Sequence, residues 1–99
     1  MHEQIEELLS ADAPTLDRIE ATLTEGYAQA LALEAERWRL ERRLGQAAHD
    51  LPGADVSRRA DELATLAKRL RSADGELTEL RTLLGSLHER TRTVRYASR

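Results

Sequence analysis

The chain has 99 residues, a length suited to one domain; 33% of them are charged, and the net charge is −3. It contains no cysteine, which excludes a disulfide framework and any Cys-based metal site. Its apolar supply is Leu and Ala with few β-branched residues and no Phe, which favours helices over sheet and matches the composition of coiled coils.

The first segment, residues 2–10, carries Ile5, Leu8 and Leu9 on one face and reads as a short amphipathic helix. Its start, Met1-His2-Glu3-Gln4, is acidic and lacks a charged-then-apolar targeting pattern. No apolar run approaches the ~20 residues of a membrane span. The expectation is a cytoplasmic protein with no membrane partner. Ser10-Ala11-Asp12-Ala13-Pro14 then breaks the helix, with Asp12 or Ala13 as the predicted cap of the next.

A long helix is predicted over 14–50. Its seam steps by three and four through Leu16, Ile19, Leu23, Gly26, Ala30, Leu33, Arg37, Leu40, Leu44, Ala47 and Leu51. Gly26 and Ala30 make a soft stretch. Arg37 is the one charged intruder, expected to snorkel outwards with its stem over apolar surface. A turn is predicted over 51–55, where Pro52 ends one helix, Gly53 relaxes the backbone, and Asp55 or Ser57 caps the next.

A second long helix is predicted over 56–97, with a stronger seam: Val56, Arg59, Leu63, Leu66, Leu70, Ala73, Leu77, Leu80, Leu84, Leu87, Thr91 and Val94. Gly75 and Gly85 lie off it and soften the helix by ~1 kcal/mol each. At 1.5 Å per residue the long helices run roughly 52–63 Å, and the short turn forces them antiparallel. The predicted register brings Leu40 near Leu66, Leu33 near Ala73, Leu23 near Leu84 and Leu16 near Thr91.

The fold class expected is therefore all-α: an antiparallel coiled-coil hairpin over a single 1–99 domain, with the short helix packed through Ile5, Leu8 and Leu9. Two helices bury only one stripe each, so a third element or a second copy is called for. Charge agrees with the antiparallel order. Residues 1–36 hold nine acids and Arg18, a balance of −8; residues 37–99 hold nine acids, 13 arginines and Lys68, a balance of +5. The acidic start of one long helix would lie beside the basic end of the other.

Off the seam, Tyr27, Leu31 and Trp38, with Ala28 and Ala35, form a second apolar stripe; Ala60, Ala64 and Ala67 permit close approach on the other helix. A strip of this kind is association-prone. It is read as a face for the chain's own dimer, giving a four-helix bundle, or for a different protein with Trp38 and Tyr27 as anchors.

Catalysis needs titratable groups converging on a concave site. Every carboxylate falls outside the two seams, and His2, His49 and His88 are widely separated and read as solvated. Gln46 and Gly85 stand three residues before His49 and His88, which excludes a Glu-x-x-His di-iron pattern. Neither a phosphate loop nor a nucleophile elbow is present. The expectation is a non-enzymatic protein without cofactors.

Two arginine clusters, Arg37/Arg39/Arg42/Arg43 and the run Arg90, Arg92, Arg95 and Arg99, raise the alternative of a ligand- or nucleic-acid-binding regulator. The architecture resembles the small secreted hairpin family with a Trp-x-Gly turn, but here the turn is Leu51-Pro52-Gly53 and the tryptophan is Trp38. Arg42, Gln46 and Asp50 resemble the last three positions of the Glu-x3-Ser-x2-Arg-x3-Gln-x3-Asp pattern with which helical-hairpin anti-sigma proteins clamp cyclic di-GMP. Ala35 and Arg39 stand at its first two positions, so neither family is assigned. Arg42, Gln46 and Asp50 remain a candidate polar ligand face.

Overall fold

A computed structural model describes residues 1–12, 14–50 and 55–97. Within them the chain is three helices: α1 (His2–Ser10), α2 (Leu16–Asp50) and α3 (Val56–Ala97), with α2 and α3 packed against each other as a hairpin. No described residue lies in a strand. Among the described residues, no helix is long and apolar enough to cross a membrane.

The helix starts follow capping chemistry. Thr15, not Asp12 or Ala13, caps α2: its Oγ1 accepts the Arg18 N–H at 3.3 Å. Helix α2 therefore begins at Leu16 rather than 14, and Pro14 stands outside it, one residue before the cap. A β-branched hydroxyl directly before the helix satisfies an otherwise orphaned donor, so the cap falls there. At α3, Asp55 performs the same role for the Arg58 N–H, also at 3.3 Å, and Ser57 lies inside the helix. The predicted turn residues 51–54, including the seam residue Leu51, and Ala13 lie outside the described residues.

The helices divide into two compact units. One comprises Met1–Leu31 with Thr78–Arg99 and the other Ala32–Leu77.

In the first unit, α1 contributes Ile5 and Leu8, α2 contributes Ile19, Leu23, Gly26 and Ala30, and α3 contributes Leu80, Leu84, Leu87 and Thr91, all buried. Leu9 is half-buried. A nine-residue helix is marginal on its own in water. Burying Ile5 and Leu8 completely supplies on the order of 1.5–3 kcal/mol each, which is why so short a helix is held. The chain leaving α1 is fastened too: Arg90 on α3 donates through Nη2 to the Ala11 carbonyl at 2.8 Å, and Ala11 has left the helix for an extended conformation. The Arg95 guanidinium donates to Glu20 Oε1 at 2.8 Å, so the acidic start of α2 does lie beside the basic end of α3.

Leu84 sits against Gly26, where an added Cβ would overlap Leu84 Cδ2. That is one turn further along α2 than Leu23, the partner the sequence register predicts. A glycine leaves a notch in the helix surface that a leucine can fill, and a leucine-on-leucine alignment offers no such notch.

In the second unit, Leu40, Ala47, Leu66 and Ala73 form a buried cluster with Leu44, Leu63 and Leu70 packed against it. Leu40 and Leu66 share this cluster, but the register is again displaced by about one turn from the predicted one: with Arg37 opposite Asp74, Leu66 comes level with Gly45, between Leu44 and Ala47, rather than with Leu40. Alternating leucine with alanine lets two helices approach closely without voids. Arg37 does more than snorkel: its Nη1 donates to Asp74 Oδ1 on α3 at 3.0 Å, and its Nε lies 3.8 Å from Glu41. The half-buried stem leaves the guanidinium at the edge of the seam, within reach of a carboxylate on the facing helix. Val56 departs from the predicted seam and is 62% exposed. With Arg37 opposite Asp74, the antiparallel pairing carries residue 56 beyond Asp50, where α2 ends, so no turn of α2 faces it.

Candidate interaction surfaces

The seams are consumed by the hairpin, so candidate functional groups are those left outside. In the first unit, Tyr27 is 48% and Leu31 66% exposed. In the second unit, Trp38 is 58% exposed, and the Arg42 guanidinium lies over its ring, 4.8 Å from the centroid. This stacking is a cation–π contact, and it orients the indole while covering part of one face. Ala60 and Ala64 are exposed and Ala67 is half-buried.

Gln46 and Asp50 are exposed on α2 along with Arg42. Arg42, at one end of this i, i+4, i+8 row, also stacks on Trp38.

The arginine clusters come apart on inspection. Of the late run, Arg90 holds the Ala11 carbonyl, Arg95 pairs with Glu20, and Arg92 lies 3.6 Å from Glu89; Arg99 is outside the described residues. Of the α2 cluster, Arg37 pairs with Asp74 and Arg42 stacks on Trp38. Arg39 and Arg43 instead line a groove of about 570 Å³ in the second unit, together with Lys68 and Arg69 of α3. Leu40 and Ala73 lie along it, and Glu36, Ser72 and Glu76 complete it. The sequence reading missed this convergence, because it needs the cross-helix register. The Arg37–Asp74 pair reveals it: the same pairing sets Arg43 opposite Lys68 and Arg39 opposite Ser72.

His49 and His88 are exposed, as expected. His2 is half-buried rather than fully solvated: its Nε2 is enclosed without a hydrogen-bond partner among the described residues, 4.0 Å from Glu79 Oε2. Its place at the first turn of α1 brings the ring against α3 when Ile5 and Leu8 dock. Among the described residues, no group of three or more His, Asp or Glu side chains is placed to hold a metal ion.

No family model matches the chain, and no curated protein or solved structure matches it at a significant level.

Proposed function

We propose that this chain is a non-enzymatic, cytoplasmic protein–protein interaction module that pairs with a second copy of itself into a four-helix bundle. In that role it acts as an adaptor, regulator or assembly subunit. The observation that carries the reading is Trp38: a large aromatic side chain, more than half exposed, on a helix whose seam is already used. Tyr27 and Leu31 add exposed apolar area on the same helix. Exposed aromatics of this kind are the residues that anchor interfaces, and closed two-fold pairing is the commonest way a chain covers its own apolar face.

Trp38 is the sole tryptophan, so its emission reports directly on the proposed interface. Raising the concentration through the dimerisation range should shift that emission to the blue while light scattering shows the mass doubling. Trp38→Ala should weaken the dimer by roughly 2 kcal/mol or more, the scale of an interface anchor, and His49→Ala should leave it unchanged. A strict monomer at high micromolar concentration would remove the self-association.

A further inference from the structure

The groove of the second unit has a divided charge. Arg43 of α2 faces Lys68, with Arg69 beside it on α3, and Arg39 stands one turn along α2, level with Ser72. None of the four makes an ion pair with a described residue, although their neighbours Arg37 and Arg42 are both engaged. Towards the other end stand two carboxylates, Glu36 and Glu76, also without ion pairs among the described residues. Between the two ends lie the Ser72 hydroxyl and the apolar Leu40 and Ala73.

Four cations held around one groove repel one another, and an anion placed among them offsets that repulsion. A uniformly anionic partner would fit only part of the groove. A nucleic-acid backbone, an acidic helix or an anionic lipid surface laid along it would press negative charge against Glu36 and Glu76. The split calls for a ligand that is itself split: phosphates at one end, and at the other a neutral group bearing hydrogen-bond donors that carboxylates can accept.

We propose that this groove binds an organic polyphosphate of the nucleoside di- or triphosphate class. The phosphates lie among Arg39, Arg43, Lys68 and Arg69, and the hydroxyl or amino donors of the nucleoside lie at Glu36 and Glu76. Arginine suits the phosphate end because its fork of donors matches two phosphate oxygens at once. The site is independent of the Trp38 surface, since Trp38 does not line it.

The test is isothermal titration of the full chain with ATP, with tripolyphosphate and with adenosine, at low salt and without divalent metal. ATP should bind and weaken as salt is raised; tripolyphosphate should bind more weakly, and adenosine should give no heat. Arg43→Ala combined with Lys68→Ala should reduce ATP affinity by about tenfold or more, each tenfold being about 1.4 kcal/mol. Arg92→Ala, remote from the groove in sequence and already beside Glu89, should not. Glu36→Gln with Glu76→Gln should remove the preference for ATP over tripolyphosphate. Far-UV circular dichroism confirms that each variant keeps its helices. The proposal is overturned by any of three results: no heat from ATP; tripolyphosphate, single-stranded RNA or anionic vesicles bound as tightly as ATP; or undiminished ATP affinity in the folded Arg43/Lys68 variant.

Discussion

Replacing Gly26 with alanine opposes two effects of known sign. Alanine is a better helix former than glycine by about 1 kcal/mol, so on an open helix surface the change stabilises. At Gly26 the new methyl would overlap Leu84 Cδ2, and the Leu84 side chain is itself fully enclosed, at 2% exposure. Leu84 must leave its position or the helices must separate slightly, and overpacking of this kind costs typically ~1–3 kcal/mol. The steric term therefore exceeds the propensity term, and Gly26→Ala should lose about 1 kcal/mol net, a fall of roughly 4–8 °C in Tm for a domain of this size. Gly75 and Gly85 provide the contrast. A Cβ at either meets nothing within 4 Å, so Gly75→Ala and Gly85→Ala should each raise stability by about 0.4–1 kcal/mol. Thermal unfolding followed by circular dichroism measures all three. Adding Leu84→Ala to Gly26→Ala tests the mechanism: Leu84→Ala alone should cost ~2–5 kcal/mol, and less in the alanine background, where the new methyl occupies part of the vacated space. A Gly26→Ala protein as stable as, or more stable than, the parent would refute the notch packing.

Arg90→Ala removes the donor to the Ala11 carbonyl, and should cost about 1–2 kcal/mol, localised to α1. Hydrogen exchange reads this as faster exchange of the α1 amides; unchanged protection there would show that Ile5 and Leu8 alone hold the helix. Thr91→Val should change stability by no more than ~1 kcal/mol, because the buried hydroxyl bonds only to the Leu87 carbonyl, which the helix ladder already satisfies. A larger loss in urea titration would assign the hydroxyl a structural role. Arg37→Leu exchanges a partly exposed ion pair worth about 0.2–1 kcal/mol for a leucine on the seam worth more, so the midpoint of urea unfolding should rise.

The leucine spacing made the hairpin legible, because a three-and-four step kept over ten turns permits one buried face and no other. Ile5 and Leu8 likewise announced that α1 would pack, and they are among the most enclosed residues of the chain. What resisted reading was register. The turn alone sets it only to within about a helical turn, and the decision rests on one glycine notch and on the reach of Arg37 to Asp74. The Arg39, Arg43, Lys68 and Arg69 groove was hidden for the same reason: on the sequence these are two unrelated clusters 25 residues apart or more. Thr15 was overlooked as a cap because the proline before it drew the helix start two residues too early.

The clasp between Arg90 and Ala11 joins positions 79 residues apart. During synthesis the first helix emerges long before the arginine that fastens it, so Ile5 and Leu8 wait in water until the last helix has been made. Any product that stops short of Leu80 lacks both the clasp and the α3 leucines of the same unit, and so leaves that apolar pair under-covered, a mark by which quality-control proteases and chaperones can tell an unfinished copy from a finished one.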